Sequence, residues 1–405
     1  MPRPHLLFLA HRIPYPPNKG DKIRSWNVLK HLAKSFDIHI GAFVDDPSDL
    51  QHVDRLRAMS VSSTFIEGGR MNQKMRLPRA WFSDTPLSVA LWQDRRMKDY
   101  VKAVLSDGSV QNVYVFSGQM APYIQKYTSR RRTIIMDFVD VDSDKFDQYA
   151  ARASWPKKAV YGREARLLKQ FEKQVARIVD ASLFVSEAEA RLFRRHAGSY
   201  AHTVYPLENG VDLEMFRPSG AKPAPHSLVF TGAMDYLPNM EAVDWMVKDI
   251  LPIVRRTHPG ASFTIVGSNP APEVKRLAGK GVTVTGTVPD VRPHVHDAAV
   301  AVAPIKTARG IQNKVLEAMA MGRPVVATEA AFSGIRAQPG RDLIVEDDTD
   351  AFAGAITALF DNPDRAEALG RAGRARMESV YSWPARLSDL DLIMAKHSHR
   401  EEEAA

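Results

Sequence analysis

A chain of 405 residues exceeds the size at which one hydrophobic core stops growing, so two domains are expected. Its apolar fraction of 44% and charged fraction of 25% exclude a disordered chain, and the absence of cysteine excludes disulfides, thiolate catalysis and cysteine-ligated metal. The net charge of +8 is unevenly spread: residues 1–205 carry 33 Lys and Arg against 21 Asp and Glu, and the remainder carry 22 against 26.

The basic half predicts attraction to something anionic: a membrane surface, a diphosphate-linked lipid or nucleic acid. Its densest runs, Arg130-Arg131-Arg132 and Lys157-Lys158, are not interleaved with aromatic residues as a nucleic-acid groove would be, which places nucleic acid last. Scattered cations that merely solubilise the half are the plain alternative. The apolar run Leu6–Ala10 is too short for a signal sequence or a membrane span, so a cytoplasmic chain is expected.

In chain order, His5–Ala10 reads as a buried strand, followed by a proline-rich connection to Gly20 and an amphipathic helix from Asp21 to Ser35. Gly20 at that helix entrance permits close approach of backbone to a ligand, with Lys19, Lys22 and Arg24 around it; a plain turn is the alternative. Ile38–Val44 is a second strand. Within 71–92, Trp81, Phe82 and Trp92 suit either an acceptor-binding or membrane-touching edge or ordinary core packing.

Val113–Phe116 and Thr133–Phe138 are strands. Past the second, Asp137, Asp140, Asp142 and Asp144 fall close together, and their mutual repulsion favours a raised pKa. Asp140 and Asp142 are candidates for a general base, against a capped turn in which Asp142 or Ser143 starts the next helix. Tyr161–Val179 is a long amphipathic helix and Ala181–Val185 a strand. The tight turn Asn209-Gly210 and the stretch 218–225, rich in Pro, Gly and Ala, mark the domain boundary.

The second half repeats strand, glycine, helix from Ser227 onward, the pattern of an α/β doubly wound parallel sheet. No G-x-G-x-x-G follows the first strand of either half, so a dinucleotide is not favoured. The stretch Lys306–Ala327, KTARGIQNKVLEAMAMGRPVVA, reads as loop, helix, turn and buried strand. Ligands in such sheets sit beyond the carboxyl ends of the strands, and a helix start offers backbone N–H groups to phosphate, so a nucleotide is expected near Gly310–Glu317. Glu317 is placed to chelate two ribose hydroxyls, or is simply a solvated helix residue.

The segments NGVD with Phe216, the Gly232 turn, Val266-Gly267, Gly286 and LEAMAMGRPVVAT resemble glycosyltransferase family 4, the retaining GT-B sugar-nucleotide transferases. More narrowly, LAHRIPYPPNKGDKIRSWNVLKHL, MDFVDVDSDKF and RGIQNKVLEAMA resemble the sugar transferases of exosortase and exopolysaccharide gene clusters. The resemblance implies GT-B: two Rossmann-like domains facing across a cleft, an acceptor-side domain over 1–205 and a nucleotide-sugar domain over 206–379. A last helix at about 380–396 would cross back to the first domain, before a charged tail over 397–405.

The same resemblance makes Glu317 the second glutamate of the family's Glu-x7-Glu pattern, with Arg309 at the first position. The family's Arg and Lys after the first strand of the donor domain have no counterpart in Gly232–Asn239, so Lys306, Arg309 and Lys314, with backbone at Gly20, Gly232 and Gly310, are the expected diphosphate contacts. Expected partners are a UDP- or GDP-sugar donor, a glycan or polyprenyl-diphosphate-linked acceptor, and an anionic membrane at its cytoplasmic face. No cofactor, metal or nucleic acid is expected. Transfer would retain anomeric configuration by front-face attack, with Lys314 helping the leaving phosphate and Asp140 and Asp142 positioning the acceptor. An inactive GT-B scaffold and a GT-B sugar-nucleotide epimerase are the alternatives.

Overall fold

The structure, a computed structural model, describes residues 3–17, 19–67, 81–129, 131–307 and 311–398. The chain divides into two compact units: Met1–Asn209 with Arg386–Ala405, and Gly210–Ala385.

The first unit is built on seven parallel strands: β1 (His5–Ala10), β2 (Asp37–Val44), β3 (Ser62–Glu67), β4 (Val110–Phe116), β5 (Thr133–Val139), β6 (Ala181–Phe184) and β7 (Val204–Pro206), in the order β3-β2-β1-β4-β5-β6-β7. Leu6 to Ala10 are wholly buried, as befits a central parallel strand covered on both faces. The order reverses between β1 and β4, where neighbouring connections leave in opposite directions and open a crevice at the strand ends.

Helix α1 (Gly20–Leu32) follows β1 and the helical hairpin α2 (Asp142–Arg152) and α3 (Lys157–Ala176) follows β5. Helix α4 (Glu187–Ala197) follows β6, its start capped by the Ser186 side chain accepting from the Glu189 N–H. The end of the chain returns to this unit: Arg386 pairs with Glu208 at 2.9 Å and Lys396 donates to the Tyr205 hydroxyl at 3.0 Å.

The second unit carries β8 (Ser227–Thr231), β9 (Ser262–Val266), β10 (Val282–Val284), β11 (Val300–Ala303), β12 (Val325–Ala327) and β13 (Ile344–Val345), all parallel, in the order β10-β9-β8-β11-β12-β13. Its reversal point lies between β8 and β11. Helix α5 (Leu237–Trp245) follows β8 and α6 (Asn313–Ala320) precedes β12. Helix α7 (Trp383–Ser398) begins in this unit and belongs to the first from Arg386 onward. Val315, Leu316 and Met319 of α6 pack against Val302 and Val326 in one buried core.

The amphipathic run expected from Asp21 and the helix expected over Tyr161–Val179 are present with shifted bounds, Gly20–Leu32 and Lys157–Ala176. Asp142 and Ser143 do not cap α2. The cap position is Val141, without a side-chain bond, and the free N–H groups go to glutamates from later helices: Val141 N–H to Glu189 at 2.7 Å and Ser143 N–H to Glu172 at 3.0 Å. Among the described residues, no helix is long and apolar enough to cross a membrane.

Candidate active site

In the second unit the site grows from two glycines at the ends of adjacent strands. β8 ends at Thr231, and the Gly232 N–H donates to Val266 O at 3.0 Å while the Met234 N–H donates to Ser268 O at 2.8 Å, which ties the turn to the end of β9. A Cβ on Gly267 would lie 1.6 Å from Gly232 O, so any other residue there would force the two strand ends apart. A Cβ on Gly232 would lie 2.7 Å from the Asn239 amide nitrogen and 3.1 Å from the Lys314 ammonium.

Those two side chains fill the space above the turn. Buried Asn239, near the start of α5, donates to Ala233 O at 2.9 Å and accepts from Lys314 Nζ at 2.6 Å. The ammonium also lies 4.2 Å from the centre of the Phe230 ring, a face that favours a cation. Burial pulls the Lys314 pKa down to about 8, with Glu317 acting the other way. One turn later on α6, Glu317 is pushed up to about 7 by burial, against the opposing charge of Lys314. Both are half-buried, and together they line a depression with Phe216, Thr231 and Ala303. Among the described residues the Glu317 carboxylate accepts no side-chain or backbone hydrogen bond, so its oxygens remain open to paired hydroxyls.

The structure thus brings Gly232, Lys314 and Glu317 together at the carboxyl ends of the central strands of the second sheet. Lys306 is exposed and lies over the Trp245 ring at 4.1 Å. Arg309 and Gly310 lie outside the described residues.

In the first unit, Gly20 opens α1, exposed and with open space around it. Of the cations expected beside it only Lys19 is exposed; Lys22 and Arg24 point inward, because each has a buried carboxylate partner distant in sequence. Lys22 pairs with Asp49. Arg24 donates to both oxygens of Asp137 at 2.9 and 3.1 Å, to Leu207 O at 2.6 Å and to Asn209 at 2.9 Å, and Asp137 also accepts from the Tyr114 hydroxyl at 2.6 Å. The charge that does face α1 comes from the end of β1, where Arg12 bridges Asp21 at 2.7 Å and Asp45 at 2.9 Å. Burial would raise the Asp21 carboxyl, but His11 and Arg12 hold it well below the usual carboxylate range. The motif LAHRIPYPPNKGDKIRSWNVLKHL contains His11 and Arg12 without assigning either a role, and nothing in the sequence marked Asp45.

The aspartates at and beyond the end of β5 divide by function. Asp137 is internal and anchors Arg24. Asp140 and Asp142 share Lys145, at 2.7 and 3.3 Å, and Gln119 reaches Asp142 at 3.4 Å. Burial works against the Lys145 charge, and Asp142 and Asp140 more than offset it, raising its pKa. On the helices behind, burial pushes Glu172 up to about 7 and Glu189 upward. Ser117 and Val139, at the ends of adjacent strands, both adopt positive φ, 78° and 71°, a strained conformation for a β-branched residue that the Asp137 contacts hold in place. Trp92 is a packing residue, its ring set edge-on against Phe43 and His11.

Comparison with known proteins agrees with this architecture. Residues 225–362 match the family model described as Glycosyl transferases group 1. A GDP-mannose-dependent monoacylated alpha-(1-6)-phosphatidylinositol monomannoside mannosyltransferase of Corynebacterium glutamicum is 28% identical over 236 residues, covering 53% of this chain and 62% of that protein. The corresponding GDP-mannose-dependent mannosyltransferase of Mycobacterium tuberculosis is 31% identical, covering 52% and 61%. The chain therefore spans about three fifths of the length of these curated relatives. Anabaena HepE in complex with UDP is similar in fold with a TM-score of 0.61, 12% identity and coverage of 97% of this chain and 100% of that one. Sucrose-phosphate synthase of Thermosynechococcus elongatus gives 0.59, 16%, 97% and 99%. The chain has the GT-B fold, and its residues 225–362 are similar to the Glycosyl transferases group 1 family.

Proposed function

We propose that this protein is a glycosyltransferase that moves a sugar from a nucleotide-sugar donor to a glycan or lipid-linked glycan acceptor, with retention at the anomeric carbon, in exopolysaccharide assembly. The observation that carries the reading is the half-buried pair Lys314 and Glu317 beside the Gly232 turn, within the segment that matches the family model. Glu317 accepts from the two ribose hydroxyls. Lys314, held over Gly232 by Asn239, compensates the diphosphate and stands where the family's usual arginine and lysine are missing. Lys306, Arg309 and the backbone at Gly310 supply further diphosphate contacts.

The acceptor hydroxyl attacks the anomeric carbon on the face the nucleotide leaves, the bond to the phosphate oxygen breaks, and the hydroxyl proton passes to that oxygen. Asp140 and Asp142, with Lys145 between them, orient the acceptor; a carboxylate already shared with an ammonium is better suited to orienting a hydroxyl than to taking its proton. No cofactor beyond the donor enters the reaction. The site of action is the cytoplasmic side of a membrane that carries the acceptor.

Calorimetric titration of UDP-, GDP- and ADP-sugars tests the reading, beginning with GDP-mannose because the mannosyltransferase relatives depend on it. One nucleotide class should bind saturably, and Glu317→Ala should weaken it at least tenfold, about 1.4 kcal/mol. Absence of binding to every class would sink the transferase and favour an inactive scaffold. Turnover of the donor without any acceptor would favour the epimerase, and the anomer formed on a defined acceptor decides retention.

A further inference from the structure

Helix α3 hides every acid it carries and displays its bases. Glu164 is buried, accepting from the Leu87 and Ser88 N–H groups at 2.8 Å, and buried Glu172 holds Ser143. Lys157, Lys158, Arg166 and Lys173 are exposed. Arg166 and Lys173, seven residues apart, share one face, and Lys157 and Lys158 lie at the start of the helix, although Asp147 of the neighbouring α2 is exposed beside Arg166.

The same end of the hairpin exposes large apolar rings. Trp155, two residues before α3, is 82% exposed, Tyr149 at the end of α2 is 52% exposed, and Phe82 is 88% exposed. Phe82 belongs to this surface because its segment is fastened to the helix: Arg163 lies over the Trp81 ring at 5.2 Å and donates to Ser83 O, and Glu164 holds Leu87 and Ser88. Arg163 is six residues into the helix, about 9 Å along its axis from Lys157. Solvent-facing aromatics at a helix tip, next to a row of cations with no accessible acid of their own helix, match a surface with an apolar interior and an anionic skin.

We propose that the tip of the α2–α3 hairpin, with Phe82, is a docking surface for an anionic lipid bilayer, Trp155 and Phe82 entering the interface while Lys157 and Lys158 meet the headgroups. This deepens the proposed function, since a lipid-linked acceptor lies in such a surface, but it stands on the hairpin alone. A nucleic-acid face would place its rings among the cations along a groove, whereas Trp155 lies in the loop before the first of them.

Flotation of the full-length protein with vesicles of phosphatidylcholine alone, and with one-third phosphatidylglycerol, tests this. Binding is expected only to the anionic vesicles. Lys157→Glu/Lys158→Glu should weaken it at least tenfold, and Trp155→Ser/Phe82→Ser should abolish the fraction that resists high salt, with calorimetric donor affinity and circular dichroism unchanged in both variants. Equal binding to both vesicle types, anionic binding unaltered in both variants, or tighter binding to a single-stranded oligonucleotide than to the vesicles would overturn the proposal. Vesicle docking without any nucleotide binding would leave the surface standing and sink the transferase reading instead.

Discussion

Lys314 gives up much of its hydration for one amide oxygen and an aromatic face, and that exchange is what brings its pKa toward neutrality. An ammonium so placed keeps part of its binding capacity for an incoming anion, because Asn239 occupies one of its three donors. Asn239 is accordingly a positioning residue. Asn239→Ala should weaken nucleoside diphosphate binding about tenfold by calorimetry, yet cost nothing further in a Lys314→Ala background. Additive losses would show that the amide acts on the Gly232 turn and not through the lysine. The sequence points to Glu317 and Lys314 through the helix that carries them. It gives no sign of Asn239, whose partner lies 75 residues away. The same blindness misplaces Lys22 and Arg24, for a charge is visible in sequence whereas the buried aspartate that takes it inward, 27 or 113 residues distant, is not.

Among the elements, α2 is held by its neighbours more than by its own sequence. Its first turn receives carboxylates from α3 and α4, and the Glu172 carboxyl that caps Ser143 is buried enough to titrate at about 7 instead of 4.5. A carboxyl raised in the folded state stabilises the fold below its unfolded pKa, and that contribution disappears as pH rises through the folded one. Urea unfolding of the wild type should therefore show stability falling by about 3 kcal/mol between pH 4.5 and 7.5 from this group, on the scale of 1.36 kcal/mol per pKa unit. Glu172→Gln should remove most of that slope. An unchanged slope would place the titration elsewhere.

The strand–glycine–helix alternation made both sheets legible, since buried parallel strands write themselves as short apolar runs. β3 escaped because SSTFIE buries one residue of six, and β13 because two residues leave no pattern. Helix α5 continues without a break through a π turn at Met246–Ile250 into a further helical stretch from Leu251. Periodicity does not register such a one-residue slip.

At the scale of the whole molecule, the second unit begins and ends side by side near Gly210. Val211 N–H donates to Tyr381 O at 2.7 Å, and a Cβ on Gly210 would lie 2.7 Å from both the nitrogen and the Cα of Trp383. These are backbone atoms, so Gly210→Ala must shift the chain. It should lower the free energy of unfolding by about 1–3 kcal/mol, read as a lower urea midpoint, the cost of forcing a methyl group into a packed site. An unchanged midpoint would show that this close approach yields freely.

The outgoing and returning segments meet there because the second unit is inserted within the first. That arrangement fixes a timetable on the ribosome. All seven strands of the first sheet have been made by Pro206, yet buried Leu387, Leu390, Ile393 and Met394 are translated only after the whole of Gly210–Ala385. The inserted unit can complete its core while the unit that began first still waits for its closing helix, so the usual amino-to-carboxyl order of domain maturation is inverted in this chain.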